Sequence, residues 1–324
     1  MKAPILALLG TAFISNILAA PSQTLLVLSK GDHTLAIVDP SNLKVIAKAP
    51  IGEDPHEVIA SSDGKFAYVS NYGAGRYNTL AVVDLVAQKA SPSIDLGPLR
   101  GAHGLAFAGG KVWFAAEGAK AIGRYDPVEK KIDWVMGTGQ SRTHMVMVSA
   151  DQNRIYTTNI GSATVTLLDK GAEYREWNAT VIPVGKGSEG FDISPDGREL
   201  WTANAGDGTI SIINIADKKV VETLPANIRT ANRLKFTPDG KLVFISMLNN
   251  PGVAVLDAAT HKEVKRIRTG KGAAGIQIQP DGSHVFISCT PDNYVAVIDP
   301  KTLEIVGRID AGPHPDGLAW AIQQ

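Results

Sequence analysis

A repeat of about 43 residues is the feature that most limits what this chain can fold into. In each copy, an apolar strand leads into an Asp-Gly turn, and a second strand rich in aromatic and β-branched residues follows. A third, alternating strand ends in Asp or Asn, and a fourth ends near a glycine. The repeat therefore encodes four short strands. The clearest copies are "SSDGKFAYVSNYGAGRYNTLAVVD" (61–84), "SPDGRELWTANAGDGTISIIN" (194–214), "TPDGKLVFISMLNNPGVAVLD" (237–257) and "QPDGSHVFISCTPDNYVAVID" (279–299).

Four antiparallel strands per repeat are typical of one blade of a β-propeller. Seven copies are present, because the first strands start at 56, 103, 144, 189, 232, 274 and 316. Helical repeats of similar length are excluded, since the apolar pattern has period two and turn glycines interrupt it.

The two ends of the chain complete each other. The last copy stops after its first strand, "PDGLAWAIQQ" (315–324), and the three missing strands occur near the N-terminus as "TLLVLSK", "TLAIVDP" and "KVIAKAPIG". We therefore predict an all-β, seven-bladed β-propeller of four-stranded antiparallel blades over residues 23–324. Its closing blade is shared by the N- and C-termini, which leaves no open sheet edge.

The first 22 residues have the pattern of a signal peptide. Lys2 provides a positive start, residues 4–19 are almost wholly apolar, and small residues follow. A transmembrane anchor is the alternative, but the run is short and contains Ser15 and Asn16. We expect a periplasmic or secreted protein with no membrane span once the signal is removed. Cys289 is the only cysteine, so such a protein would have no internal disulfide.

The charge balance limits the class of partner. The formal net charge is +0, whereas nucleic-acid and membrane-surface binders usually carry a basic excess. We expect a small-molecule ligand, no nucleic acid and a monomeric protein; a protein partner stays open.

The repeats resemble a known family. "YVSN" (68–71), "TTN" (157–159), "WTAN" (201–204) and "SPDG" (194–197) are similar to the motifs of YVTN-repeat (YncE-like) seven-bladed propellers, and the resemblance extends over residues 24–320. It implies the fold but not one function. Members and relatives include binding proteins of unknown ligand, lactone hydrolases and a metal-dependent antibiotic lyase.

Histidines stand at the start of three consecutive first strands: His56 in "DPHEVIA", His103 in "GAHGLAF" and His144 in "RTHMVMV". The loop before the first strand and the loop after the second lie on one face of a propeller, so residues at both places should surround the channel mouth. In the other four first strands, the position of these histidines is occupied by Glu189, Asn232, Ala274 and Asp316. The position at the end of the second strand is occupied by Asn71, Glu117, Asn159, Asn204, Met247, Cys289 and Lys30.

These positions are polar on five blades and bland on the blades that start at 232 and 274. We predict His56, His103 and His144 as ligands of a divalent metal ion of unknown identity, and Glu117 or Glu189 as general base. The alternative is that each histidine only supports its own blade. Cations before the first strands, Arg100, Arg142, Lys186, Arg229 and Lys271, favour an anionic ligand. The predicted ligand-binding residues are Asn71, Arg76, Arg100, Arg142, Asn159, Asn204, Arg233 and Asp316.

Three functions remain open on the sequence. The first is a metal-dependent hydrolase or lyase acting on a small carboxylated molecule. The alternative is a non-catalytic module that binds a ligand, a metal ion or a protein. A third, electron transfer through haem or copper, has less support because the chain contains no CxxCH motif.

Overall fold

The computed structural model describes residues 22–173, 176–250 and 252–324, which form seven four-stranded antiparallel sheets. This confirms the predicted all-β propeller. The predicted signal peptide falls almost wholly on residues 1–21, outside the described residues. In the described part of the chain, no helix is long and apolar enough to cross a membrane.

Blade 1 is the first sheet whose four strands follow one another along the chain, and it begins with β4. The strands of blades 1 to 3 are β4 (Pro55–Ala60), β5 (Phe66–Asn71), β6 (Thr79–Asp84) and β7 (Lys89–Asp95); β8 (Ala102–Ala108), β9 (Lys111–Ala116), β10 (Ala121–Asp126) and β11 (Lys131–Gly137); β12 (Thr143–Val148), β13 (Arg154–Asn159), β14 (Thr164–Lys170) and β15 (Trp177–Pro183).

Blades 4 to 6 repeat this order, and blade 7 combines the two ends of the chain. Their strands are β16 (Ser188–Ile193), β17 (Glu199–Asn204), β18 (Thr209–Asn214) and β19 (Lys219–Pro225); β20 (Ala231–Phe236), β21 (Leu242–Met247), β22 (Gly252–Asp257) and β23 (Glu263–Ile267); β24 (Ala273–Ile278), β25 (Val285–Cys289), β26 (Tyr294–Asp299) and β27 (Glu304–Ile309); β28 (Pro315–Ile322), β1 (Gln23–Ser29), β2 (Thr34–Asp39) and β3 (Lys44–Pro50). Three 3₁₀ turns follow second strands, at Gly73–Gly75, Glu117–Ala119 and Thr290–Asp292.

Blade 7 closes the ring as the sequence predicts. β28 pairs with β1 over a register that sets Leu318 opposite Val27 and Trp320 opposite Leu25. Each of the seven first strands also contacts the first strands of both neighbouring blades, so the channel wall is continuous.

The core lies between the blades and is built from alternating residues of the middle strands. Trp113, Trp201, Phe244 and Phe286 occupy the same place on the second strands of blades 2, 4, 5 and 6, and each is at most 1% exposed. Burial of one such side chain contributes roughly 2–3 kcal/mol, which makes the contact between blades the main source of stability.

A β-bulge interrupts every first strand where it reaches the channel mouth. In blade 1 the register shifts between Pro55 and Glu57, and each of the other six first strands has a shift at the corresponding place. In blade 6 the bulge lies beside Gly275, where a Cβ atom would stand 2.3 Å from the carbonyl oxygen of Asp316. A bulge re-aims side chains locally, so two successive residues of a first strand can reach the mouth.

Candidate functional site

The three predicted histidines converge at one end of the channel. They come from β4, β8 and β12, and their rings are neighbours in chain order. The ring centroids of His56 and His103 lie 4.4 Å apart with the rings edge-on, and those of His103 and His144 lie 3.6 Å apart with the rings tilted. His103 is fully buried and His144 is 3% exposed. The structure therefore brings into contact three side chains that the sequence places only around the same mouth.

His144 is held between two carboxylates. Its Nδ1 lies 2.9 Å from Glu117 Oε2, and its Nε2 lies 3.1 Å from Glu189 Oε1. Burial opposes protonation of this ring, but Glu189 and Glu117 together raise the pKa of His144. Burial likewise opposes ionisation of Glu117, yet His144 and Arg142 lower the pKa of that carboxyl to about 2.

His56 belongs to a second charged group, which joins blades 7 and 1. Its Nδ1 lies 3.1 Å from Asp316 Oδ2 and 2.5 Å from Lys30 Nζ. Lys30 also lies 3.0 Å from both Asp316 and Asp54. Burial works against ionisation of Asp316, but His56 and Lys30 hold the pKa of this carboxyl well below its usual range. Three strands from distant parts of the chain are thus joined at the mouth.

His103 lies between these two groups and has no hydrogen-bond partner of its own. Both of its ring nitrogens are buried, and neither makes a hydrogen bond to any described residue. Burial, and next the neighbouring His144 and His56, lower the pKa of His103 well below its ordinary value. This ring is therefore neutral at physiological pH, with its polar atoms unsatisfied.

Arg233 of β20 crosses the channel. Its guanidinium pairs with Glu57 of blade 1 and lies 3.5 Å from Glu189 Oε1, and the side chain is 7% exposed. Asn232 donates to the same Glu189 oxygen at 3.2 Å. Blade 5, which the sequence describes as bland, therefore takes part in the cluster. The reason is the bulge, which directs two successive residues of β20 to the mouth.

Blade 6 is bland at the mouth, as the sequence describes it. Ala274 at its mouth is 2% exposed, and the Cys289 thiol donates to the carbonyl oxygen of Thr269. Burial raises the pKa of this thiol, so Cys289 is a neutral core residue.

The loop after β5 covers part of the cluster. The Tyr72 ring stacks on His56 at 5.1 Å and meets His103 edge-on at 5.0 Å. Asp54 fixes the loop by accepting from the amide of Gly73 at 2.8 Å, and Tyr77 donates to Glu53 at 2.8 Å. Tyr72 is thus a fixed aromatic wall beside the histidines.

The three predicted asparagines lie inside the blades and not at the mouth. Asn71 donates to the carbonyl oxygens of Ile51 and Glu53, both at 2.9 Å. Asn159 and Asn204 are fully buried and donate to hydroxyls of their own blades, at 3.0 to 3.1 Å. These side-chain amides satisfy hydrogen-bond acceptors near the ends of strands. Their shared position on second strands explains why asparagine recurs there.

The predicted arginines lie around the mouth in different settings. Arg142 Nε donates to Glu117 Oε1 at 2.7 Å while half of its side chain stays exposed. Arg76 and Arg100 lie further out, where Arg76 Nε donates to the Gly73 carbonyl and Arg100 approaches the Arg76 carbonyl at 3.5 Å. Arg229 is exposed and donates to the Gly206 carbonyl at 2.6 Å. Cations therefore surround a more acidic centre.

Sequence reasoning missed Glu57 and Asp54 as parts of the cluster. Both flank His56, in the segment "EDPHE" (53–57), and they hold Arg233 and Lys30 respectively. The signal that could have found them is the charge beside the histidine, read together with a bulge at that position.

Within residues 22–173, 176–250 and 252–324, no group of three or more His, Cys, Asp or Glu side chains is already arranged to hold a metal ion. The imidazoles would have to rotate to share one ion. The side chains that could meet there are His56, His103, His144 and Glu189, since each lies within this one cluster.

Comparisons with known proteins agree on the fold. The family model described as "YNCE-like beta-propeller" matches residues 122–279. A functionally unknown protein from Desulfotomaculum acetoxidans has a similar structure, with a TM-score of 0.75 at 13% identity, covering 93% of this chain and 99% of that one. A proposed 6-phosphogluconolactonase from Bacteroides fragilis gives 0.75 at 15% identity, covering 94% and 100%.

The dihydro-heme d1 dehydrogenase NirN, solved in complex with DHE, gives a TM-score of 0.66 at 18% identity, covering 92% of this chain and 66% of that one. No curated protein matches the sequence. At these identities the solved structures share the fold alone. The match to the family model and the seven closed blades together show a β-propeller that resembles the YNCE-like family.

Proposed function

We propose that the channel mouth binds a divalent transition-metal ion through His56, His103 and His144, and holds a small ligand there. The observation that carries this proposal is the state of His103, a fully buried imidazole with both nitrogens unpaired. Buried polar atoms in folded proteins nearly always have a partner, and an unpaired one costs about 1–3 kcal/mol. A metal ion would supply that partner, and imidazole is a preferred ligand of zinc, copper and nickel.

The carboxylates around the histidines support a metal site. Metal-binding histidines usually present one nitrogen to the metal ion while the other donates to a carboxylate, which fixes the tautomer. Here Glu117 lies at Nδ1 of His144, and Asp316 lies at Nδ1 of His56. His144 therefore has the second contact that a ligand histidine needs, whereas Nδ1 of His56 lies between Asp316 and the donating ammonium of Lys30.

The charges also favour a cation. Five carboxylates (Asp54, Glu57, Glu117, Glu189 and Asp316) face three permanent cations (Lys30, Arg142 and Arg233). With neutral imidazoles the cluster carries two net negative charges, which one divalent ion would neutralise.

The surroundings of the cluster define the ligand class. Arg142 is half exposed beside the histidines, and Arg76 and Arg100 lie further out. A small anion, such as a carboxylate, would meet the metal ion on its inner side and arginines on its outer side. Without turnover, the protein would be a metal-dependent binding module.

Hydrolysis or β-elimination of a small carboxylated molecule is the second candidate function. The position of Glu189 favours it, because this carboxylate lies 3.1 Å from His144 Nε2, next to the proposed metal ligands. Burial opposes ionisation of Glu189, but His144 and Arg233 lower its pKa, so it is a carboxylate that can accept a proton at neutral pH. Glu117, paired with Arg142 and His144, would instead orient His144.

Elemental analysis of the purified protein tests the metal site. We expect about one equivalent of zinc, copper or nickel per chain after dialysis against these ions, and its loss in His103→Ala. The matched control is His33→Ala, which changes a histidine on the exposed loop between β1 and β2. An equal metal content in wild type and His103→Ala, or no metal in either, would contradict the proposal.

A further inference from the structure

A second cavity lies between blades 1 and 2 and includes none of the histidine cluster. It is a groove of about 970 Å³, lined by the middle and outer strands of blade 1 and by the turn and outer strand of blade 2. Its volume lies in the range of small-molecule sites, which are mostly apolar with a few placed polar groups.

The groove exists because blade 1 lacks two bulky side chains. The outer strand of blade 2 carries Ile132 and Trp134, and Trp134 packs on Trp113 at 5.3 Å and on Trp177 of blade 3 at 5.7 Å. Matched by pairing with the third strand of each blade, blade 1 has Ala90 and Ser91 at these places. Ala90 pairs with Val83 as Ile132 pairs with Tyr125, and Ser91 pairs with Val82 as Trp134 pairs with Arg124.

The walls of the groove are apolar but contain two phenol groups. Tyr68 of blade 1 is 4% exposed and Tyr125 of blade 2 is 9% exposed. Neither hydroxyl makes a hydrogen bond to the described residues. Burial raises the pKa of Tyr68 to about 12, so its hydroxyl stays a neutral donor. Phe66, Val82, Ile94, Val128 and Ile132 complete the walls.

The rim supplies positive charge. Lys130 and Lys131 both line the groove where β10 turns into β11. Lys131 has only a loose pair with Glu129, at 3.7 Å between largely exposed side chains, and such pairs contribute little. Beside these lysines the apolar side chain of Val128 is 83% exposed. An apolar surface therefore ends at two cations, while the Asp95 carboxylate, which also lines the groove, accepts from Asn78 and from the Gly97 amide.

We propose that this groove binds a small amphipathic anion. Its apolar body would lie between the two blades against the rings of Tyr68 and Tyr125, and its anionic head would meet Lys130 and Lys131. The site is separate from the channel mouth and does not depend on a metal ion there.

Fluorescence titration of the metal-free protein with dansylaminoundecanoate tests the proposal. We expect saturable binding that dodecanoate displaces, and that dodecanol and dodecylamine displace much less well. Ser91→Trp, which places the Trp134 side chain of blade 2 at the paired position of blade 1, should abolish binding. Replacing both lysines (K130E and K131E) should weaken binding of the anion about fivefold or more.

The control for the charge change is Lys219→Glu, the corresponding first residue of the outer strand of blade 4, which should bind as wild type does. Circular dichroism establishes that each variant is folded, and if Ser91→Trp is not, the lysine variants decide. Absence of saturable binding, or equal affinity in the wild type and the double lysine variant, would overturn the proposal. If dodecanol displaced the probe as well as dodecanoate does, the groove would recognise only apolar groups, and this result would also overturn the proposal.

Discussion

The mouth of the channel has two unlike sides built on the same backbone. On blades 7 and 1 to 4, the first strands present Asp316, His56, His103, His144 and Glu189, which we call the polar arc; on blade 6 the same position is Ala274. A hydroxyl from the preceding second strand holds the first-strand carbonyl in both regions. Ser246 donates to the carbonyl of Ala274 at 2.5 Å, and Ser288 donates to that of Asp316 at 2.6 Å.

This comparison separates what the fold needs from what the site adds. Thr158 donates in the same way to the carbonyl of Glu189, at 2.8 Å. Because the backbone is fixed by hydroxyls whether the mouth residue is alanine, aspartate or glutamate, the fold does not require the charged side chains of the polar arc. Their presence on consecutive blades is what the proposed metal site requires.

The largest expected effect concerns the pairing of β28 with β1 in blade 7, the blade that carries Asp316. Deleting residues 318–324 should abolish folding, because β1 would lose its partner strand and expose an open edge. Deleting only residues 323–324 removes no paired strand residue and should leave the protein folded. Circular dichroism and size-exclusion chromatography distinguish the two, and a longer truncation that melts like the parent would show that closure is not needed.

The next effect tests the ion pair that crosses the channel. Arg233→Met should destabilise the protein by about 3–5 kcal/mol, because Glu57 and Glu189 would lose their buried cation. The matched control on the same blade is Lys241→Met, whose partner Asp239 is exposed, and its cost should stay below about 1 kcal/mol. Urea denaturation measures both, and equal costs would mean that the channel bridge is no stronger than a surface pair.

These two regions also show how far the sequence could be interpreted. The repeat spacing and the divided last repeat predicted the seven blades and their closure, because period-two patterns and Asp-Gly turns are local signals. The same spacing predicted that His56, His103 and His144 lie around one channel mouth, whereas the contact between their rings is seen only in the structure.

Position within a repeat does not give the direction of a side chain. Arg233 and Glu57 meet across the channel because a bulge adds a residue to each strand, and a bulge has no clear sequence signal here. Asn159 and Asn204 occupy second-strand positions near the mouth but point into their blades, where hydroxyls accept their hydrogen bonds. The sequence alone cannot separate these two cases.

A moderate effect should depend on pH. The folded-state pKa of Glu117, about 2, lies below its unfolded value, so its ionic contacts stabilise the protein above about pH 4.5, and this contribution is lost as the pH falls towards 2. In metal-free protein, Glu117→Gln should therefore cost on the order of 2 kcal/mol at pH 7 and almost nothing near pH 2. Unfolding free energies measured across this range check the sign, and a cost that grows as the pH falls would contradict it.

The smallest effect is a change in the free energy of unfolding that should differ in sign between two histidines of the polar arc. His103 has two unpaired buried nitrogens, so His103→Leu should leave the metal-free protein as stable as wild type or stabilise it by about 1 kcal/mol. His144 lies between Glu117 and Glu189, so His144→Leu removes a partner from two buried carboxylates and should destabilise the protein.

Thermal and urea unfolding of both variants, together with their metal content, completes this comparison. If His103 serves only the ligand, His103→Leu loses the metal ion while the protein keeps or gains stability, as expected where function is maintained at the expense of the fold. If His103→Leu instead destabilises the metal-free protein as much as His144→Leu does, then the imidazole of His103 supports its blade. The argument from its unpaired nitrogens would then fail.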